Sequence, residues 1–183
     1  MSAVASAADV LAFWRAAGED KWFEKDDAFD RAIRDRFLAT YEAAAKGRLS
    51  DWEKTPDGAL ALIILCDQFP RHIHRRTARA FCGDVKARET ARFALARAYP
   101  AAFDAFMRGF FYLPFGHSEV LADQELACAL YAAFRDEESL KHAIEHHAVV
   151  ARFGRFPHRN EVLGRISTEE ELDYLKTANR YGQ

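Results

Sequence analysis

Thr55-Pro56-Asp57-Gly58-Ala59-Leu60-Ala61-Leu62-Ile63-Ile64-Leu65-Cys66-Asp67-Gln68-Phe69-Pro70 is the stretch that decides the fold. Thr55 supplies a hydroxyl cap and Pro56 a preset first-turn φ, so a helix opens here. From Ala59 to Cys66 every side is apolar, with no polar stripe to face water. A helix of that kind is surrounded by others, which predicts an all-α protein with this segment near its centre. The apolar run is too short to cross a bilayer.

Working outward, helix punctuation recurs along the chain. Ser6 and Asp9 precede an apolar face of Val10, Phe13 and Trp14. Asp26 or Asp27 opens a helix through Phe29, Ile33, Phe37 and Tyr41, with Gly47 as its left-handed end. Asp84 starts another that is expected to reach Tyr99, and Ala101 to Tyr112 follows until Pro114 breaks it. Ser118 is read as the cap of a helix over 119–134. Asp136 to Ser139 is read as a turn into a helix from Leu140 to Phe153, closed by Gly154, and Ser167 with Glu170 reads as a capping box for the last helix. No window alternates apolar and polar residues in the manner of a strand. The expectation is one domain over 1–183, with seven to eight helices packed as antiparallel hairpins.

With 183 residues and half of them hydrophobic, the chain can bury a core without disulfides or metal. Its formal charge of −2 offers polyanions no general attraction, so nucleic acid is not expected as a partner. No membrane segment or signal peptide is legible. Cys66, Cys82 and Cys128 are odd in number, far apart and set among apolar residues, which predicts buried free thiols in a reducing cytoplasm. No C-x-x-C or Gly-rich phosphate loop occurs, and no cofactor is expected.

Two basic Phe-Pro segments, Gln68-Phe-Pro-Arg-His72 and Arg155-Phe-Pro-His-Arg-Asn160, stand where apolar helical patterns stop. Burial of Phe69, Phe115 and Phe156 is expected to draw their polar neighbours into one site with His117. Asp67, at the unfavourable negative end of its helix, calls for a cation, and Arg71 is nearest in sequence. Antiparallel register sets Glu119 near Arg152 or Arg155 and Asp123 near His146. Arg152, Arg155, Arg159 and Asn160 complete the set of candidate binding residues.

Such a cluster could grip a small anionic ligand or an acidic peptide bidentately. A second reading is a hydrolase-type enzyme with His117 or His158 as acid or base and Arg159 stabilising negative charge. A third is a purely structural polar cluster. A metal is not expected, because arginines repel a cation, and the His142-Ala-Ile-Glu-His146 string is taken as chance helical spacing.

The blocks Val10-Leu-Ala-Phe-Trp14, Trp22-Phe23 with Phe29-Asp30, Asp67-Gln-Phe-Pro-Arg71, Thr77-Ala-Arg-Ala-Phe81, Tyr112-Leu-Pro-Phe115 with His117-Ser-Glu119, Asp123-Gln124 and Arg152-Phe-Gly-Arg-Phe-Pro-His-Arg-Asn160 resemble the bacterial family called domain of unknown function 924. The resemblance implies a tetratricopeptide-like all-α superhelix and no established activity. The chain departs from that family at His72, where Asn is more usual, and at Arg76, where Gly is common.

Overall fold

The computed structural model describes residues 3–178, and these form nine helices with no strand among the described residues. Backbone contacts group them into two compact units, one of residues 3–75 with 79–114 and one of residues 76–78 with 115–178.

The first unit holds α1 (Ala7–Ala17), α2 (Asp27–Ala45), α3 (Pro56–Ile63), α4 (Phe69–Ile73), α5 (Asp84–Leu95) and α6 (Ala105–Gly109). Ser6 and Asp9 cap α1 reciprocally, and the Asp26 carboxylate receives the Ala28 and Phe29 amides at the start of α2. Thr55 Oγ1 accepts from the Gly58 amide at 3.1 Å, as the sequence predicts. All of α3 after Asp57 is buried, so the segment apolar all round does lie inside its unit. Trp14, Ile33, Phe37 and Phe69 pack there, with Trp14 and Phe37 rings 5.6 and 5.1 Å from Phe69.

Between α3 and α4, Ile64–Gln68 is a π-turn whose Phe69 amide donates to the Ile64 carbonyl five residues back. Pro70 lacks an amide hydrogen and would crowd the carbonyl four residues earlier, and the wider turn admits it without ending the helix. The carbonyl four residues before Pro70 belongs to Cys66, and Gly83 passes against it. A Cβ at Gly83 would lie 2.1 Å from that oxygen, so only glycine fits.

The second unit holds α7 (Leu121–Ala133), α8 (Glu137–Phe153) and α9 (Glu169–Leu175). The short connection makes α7 and α8 an antiparallel hairpin, capped by Asp136 and ended by Gly154 at φ 68°. Val149, Val150 and Phe156 form its buried core, with Phe153 and Tyr174 against them.

Five expected boundaries differ, the first being α8, which begins at Glu137 under an Asp136 cap where a turn to Ser139 and a start at Leu140 are expected. The third long pattern ends at Leu95 because Ala98 turns left-handed at φ 56°, and a 3₁₀ turn follows over Tyr99–Ala102. The Asp104 carboxylate caps α6, so that helix is far shorter than 101–112. Ser118 does not cap α7: its hydroxyl accepts from the Val120 amide in a turn before the helix, which begins at Leu121. The last capping box uses Thr168 and Glu171, one residue beyond Ser167 and Glu170. Arg76 holds φ 59°, the conformation that makes glycine the easier residue at that position.

Candidate functional site

In the first unit Asp67 is fully buried and, as expected, is paired with Arg71 at 3.3 Å. Gln68 Nε2 also donates to the Asp67 carboxylate, and Arg71 donates to the Asp67 carbonyl. The guanidinium meets a second acid absent from the sequence expectation, Asp84, at 2.9 and 3.2 Å. One guanidinium between two carboxylates ties the π-turn to the start of α5, which is the arrangement that makes a buried ion pair structurally worthwhile. Nearby, Asp30 accepts from His72 Nδ1 at 2.7 Å and from Arg75 at 3.0 Å twice. Burial pushes the Asp30 carboxyl up, but those two partners outweigh it and hold it below the ordinary carboxylate value.

The remaining candidates lie in the second unit, where the structure sorts them into two groups. The first is a frame of ion pairs. Glu119 receives Arg165 bidentately at 2.7 and 2.9 Å, and its Oε1 also accepts from the Phe156 amide at 2.8 Å. Its partner is therefore Arg165 rather than Arg152 or Arg155, because the chain doubles back after Phe156 and returns the later arginine to the helix start. Arg155 instead grips Glu171 at 2.6 and 2.8 Å, and Asn160 Nδ2 reaches Glu171 and Ser167. Burial raises the Glu119 carboxyl, but Arg165, the Phe156 amide and Arg159 hold it below the ordinary value. Glu171 is held at about 2, chiefly by its bonds from Arg155. Arg152 pairs with Glu170 at the surface. Asp123 is buried in the first turn of α7.

The second group surrounds the buried Phe156 ring. The Arg159 guanidinium lies 4.5 Å over it, and Arg159 donates to the His117 carbonyl at 2.9 Å. The rings of His146 and His158 stand 5.4 and 5.3 Å from Phe156, and His117 is 6.4 Å from His146. Gln124 fixes the His117 loop by donating to the carbonyls of Gly116 and Ser118. Burial first, and then neighbouring positive charge, brings His146 and His158 down to about 3. In the first case His117 precedes Arg159 among those neighbours, and in the second Arg159 leads. Both imidazoles are thus neutral at pH 7, able to donate from one nitrogen and accept at the other.

The structure bears on three points of the sequence reading. Cys66 is buried, with burial pushing its thiol up to about 12, but Cys82 is exposed and Cys128 only half-buried, so the three thiols are free without all being interior. His142, from the H-x-x-E-H string, is exposed and faces Glu145 at 3.6 Å, and no group of three metal-ligating side chains is found among the described residues. Arg165, Glu171 and Asp84 were missed as key partners. They lie 46, 16 and 13 residues from Glu119, Arg155 and Arg71, distances to which no helical period points.

The chain has a counterpart among solved structures. A protein of unknown function from Agrobacterium tumefaciens is 46% identical over 94% of this chain and 97% of that one, with a TM-score of 0.91. Residues 10–179 match the family described as bacterial protein of unknown function, DUF924, and the chain belongs to that family. Comparison with curated proteins gives no match.

Proposed function

We propose that the second unit binds a small organic anion, a carboxylate or a phosphate, where Arg159, His117, His146 and His158 gather around Phe156. The observation that carries this reading is the convergence of Arg159 and three histidines on one buried ring. Arg159 lies 4.5 Å over the Phe156 ring and donates to the His117 carbonyl, and the His146 and His158 rings stand 5.4 and 5.3 Å from the same ring, so cationic and N–H-bearing groups gather at one place. A carboxylate or phosphate seated there would accept hydrogen bonds from guanidinium and imidazole N–H donors. The acidic end of a peptide offers the same chemistry.

A hydrolase-type reaction would use the same side chains, but a His158 with a value of about 3 is a weak general base near pH 7, so binding is the better-supported use. The cytoplasm is the proposed location, supported by the three free cysteines and by the lack, among the described residues, of a helix long and apolar enough to cross a membrane. Nucleic acid is not a proposed partner, since the net charge is −2.

The test is a thermal-shift screen with inorganic phosphate, acetate, succinate and citrate, on the wild type and on Arg159→Ala. A ligand at 100 times its dissociation constant adds about 2.7 kcal/mol to stability, so a rise in Tm is expected for at least one anion and its loss in the variant. No shift with any of them, or the same shift in Arg159→Ala, would overturn the reading.

A further inference from the structure

Far along the chain from the anion cluster, the first unit carries a groove of about 460 Å³ at the end of α1, lined by Arg15, Glu19, Asp20, Trp22, Phe106 and Met107 among others. Such a volume suits a small ligand. Gly18 makes the opening: at φ 74° it breaks α1, and a Cβ there would meet nothing within 4 Å. Trp22 and Met107 are the buried part of the lining. The Trp22 indole is held in place by donating to the Trp14 carbonyl at 2.8 Å and by the edge contact with Phe110 at 4.9 Å. Phe106, by contrast, is 62% exposed, a large aromatic ring left at the lip.

The charge of this groove is net negative. Glu19, Asp20 and Asp104 line it against a single guanidinium, Arg15, which Asp104 engages at 3.0 Å. Asp104 is further occupied by the Met107 amide. Glu19 and Asp20 form no hydrogen bond or ion pair through their carboxylates among the described residues, and Lys21, the basic residue beside them, is drawn to Asp26. The carbonyl end of α1 adds partial negative charge at the same place. An anion is repelled from such a groove, and an uncharged ring would leave the acids unused.

We propose that this groove binds an organic cation, a primary ammonium or guanidinium carried on an apolar stem. The stem lies on Trp22, Met107 and Phe106, and the cationic head meets Glu19 and Asp20, with an aromatic face adding its own attraction for the charge. This site is independent of the anion cluster, and either can fail while the other stands.

Three probes of one shape test it: 2-phenylethylammonium, 2-phenylethanol and 3-phenylpropanoate, titrated into the ¹⁵N-labelled protein. The cation is expected to shift the Trp22 indole signal and the amides of residues 18–22 and 104–107 saturably, the alcohol to bind more weakly, and the carboxylate not to bind. Removing the two acids together, E19Q with D20N, is expected to weaken the cation by about fivefold, since each exposed charge pair contributes only modestly. Raising salt should weaken it in the same direction. Equal binding of the three probes, no saturable shift at these residues, or an affinity unchanged in a double variant whose circular dichroism matches wild type would overturn the proposal. The comparison among probes uses the wild-type protein alone and decides the matter even if the variant folds poorly.

Discussion

Acid should destabilise this protein well before its carboxylates titrate, and the two imidazoles around Phe156 are the reason. His146 and His158 stand at about 3 in the folded chain against an ordinary value of 6.5. The unfolded chain therefore takes up protons that the folded one refuses. Stability is highest above about pH 6.5, falls as pH drops through it, and the loss is complete only near 3. Integrating the proton difference from pH 7 to pH 5 gives a loss of about 2 kcal/mol for each imidazole, or about 4 for both. The result hardly changes if the folded value is a unit higher. Carboxylates held low, such as Glu171 at about 2, contribute little in that window. His74 in the first unit, lowered mainly by burial, adds to the loss with the same sign.

The assay is urea unfolding at pH 7 and pH 5, followed by circular dichroism, because all three tryptophans fall in the first unit and would not report the second. His146→Gln combined with His158→Gln isolates the pair: whatever the substitutions cost at pH 7, the variant should lose about 4 kcal/mol less than wild type on going to pH 5. Parallel losses in the two proteins would refute the assignment of neutral, desolvated imidazoles.

Glu119→Ala should cost about 3 kcal/mol in urea, because it strands Arg165 and the Phe156 amide together, whereas Arg152→Ala, which breaks a pair 55% and 63% exposed, should cost under about 0.5. Cys82 should react quickly with a thiol reagent in the native protein, while Cys66 reacts only after denaturant is added; equal rates would contradict the burial pattern. Thr168→Ala should cost about 1 kcal/mol through its cap, and Ser167→Ala less, as differential unfolding of the two variants would show.

Where local chemistry determines an element, the sequence carried it. Thr55 with Pro56, Asp26 and Gly154 all act at the helix ends where their side chains or backbone freedom place them, and the all-round apolar helix is buried. The failures have one physical pattern. Ser118 and Ser167 are good caps by type, but a neighbouring hydroxyl or backbone turn won the position, and cap preference alone does not choose between adjacent candidates. Residue types legible in the sequence did not reveal their pairings. Arg152, Arg155, Arg159 and Arg165 look equivalent on paper, yet one faces solvent, two clamp glutamates and one lies on Phe156. That division depends on how the chain reverses between Phe156 and Ser167, which no periodicity encodes. Asp84 and Asp30 were invisible for the same reason, being brought to Arg71 and His72 by packing.

The π-turn at Ile64–Gln68 also bears on how relatives should be aligned. Each helical residue advances the side-chain direction by about 100°, so a chain one residue shorter between Ile63 and Phe69 could keep an unbroken helix there while everything beyond it rotated by that angle. Its acid and its guanidinium would then face different neighbours although both letters still matched in a column. A gap of one position at this turn is thus a marker of altered architecture, and identity at Asp67 and Arg71 counts as shared chemistry only in sequences that keep the extra residue.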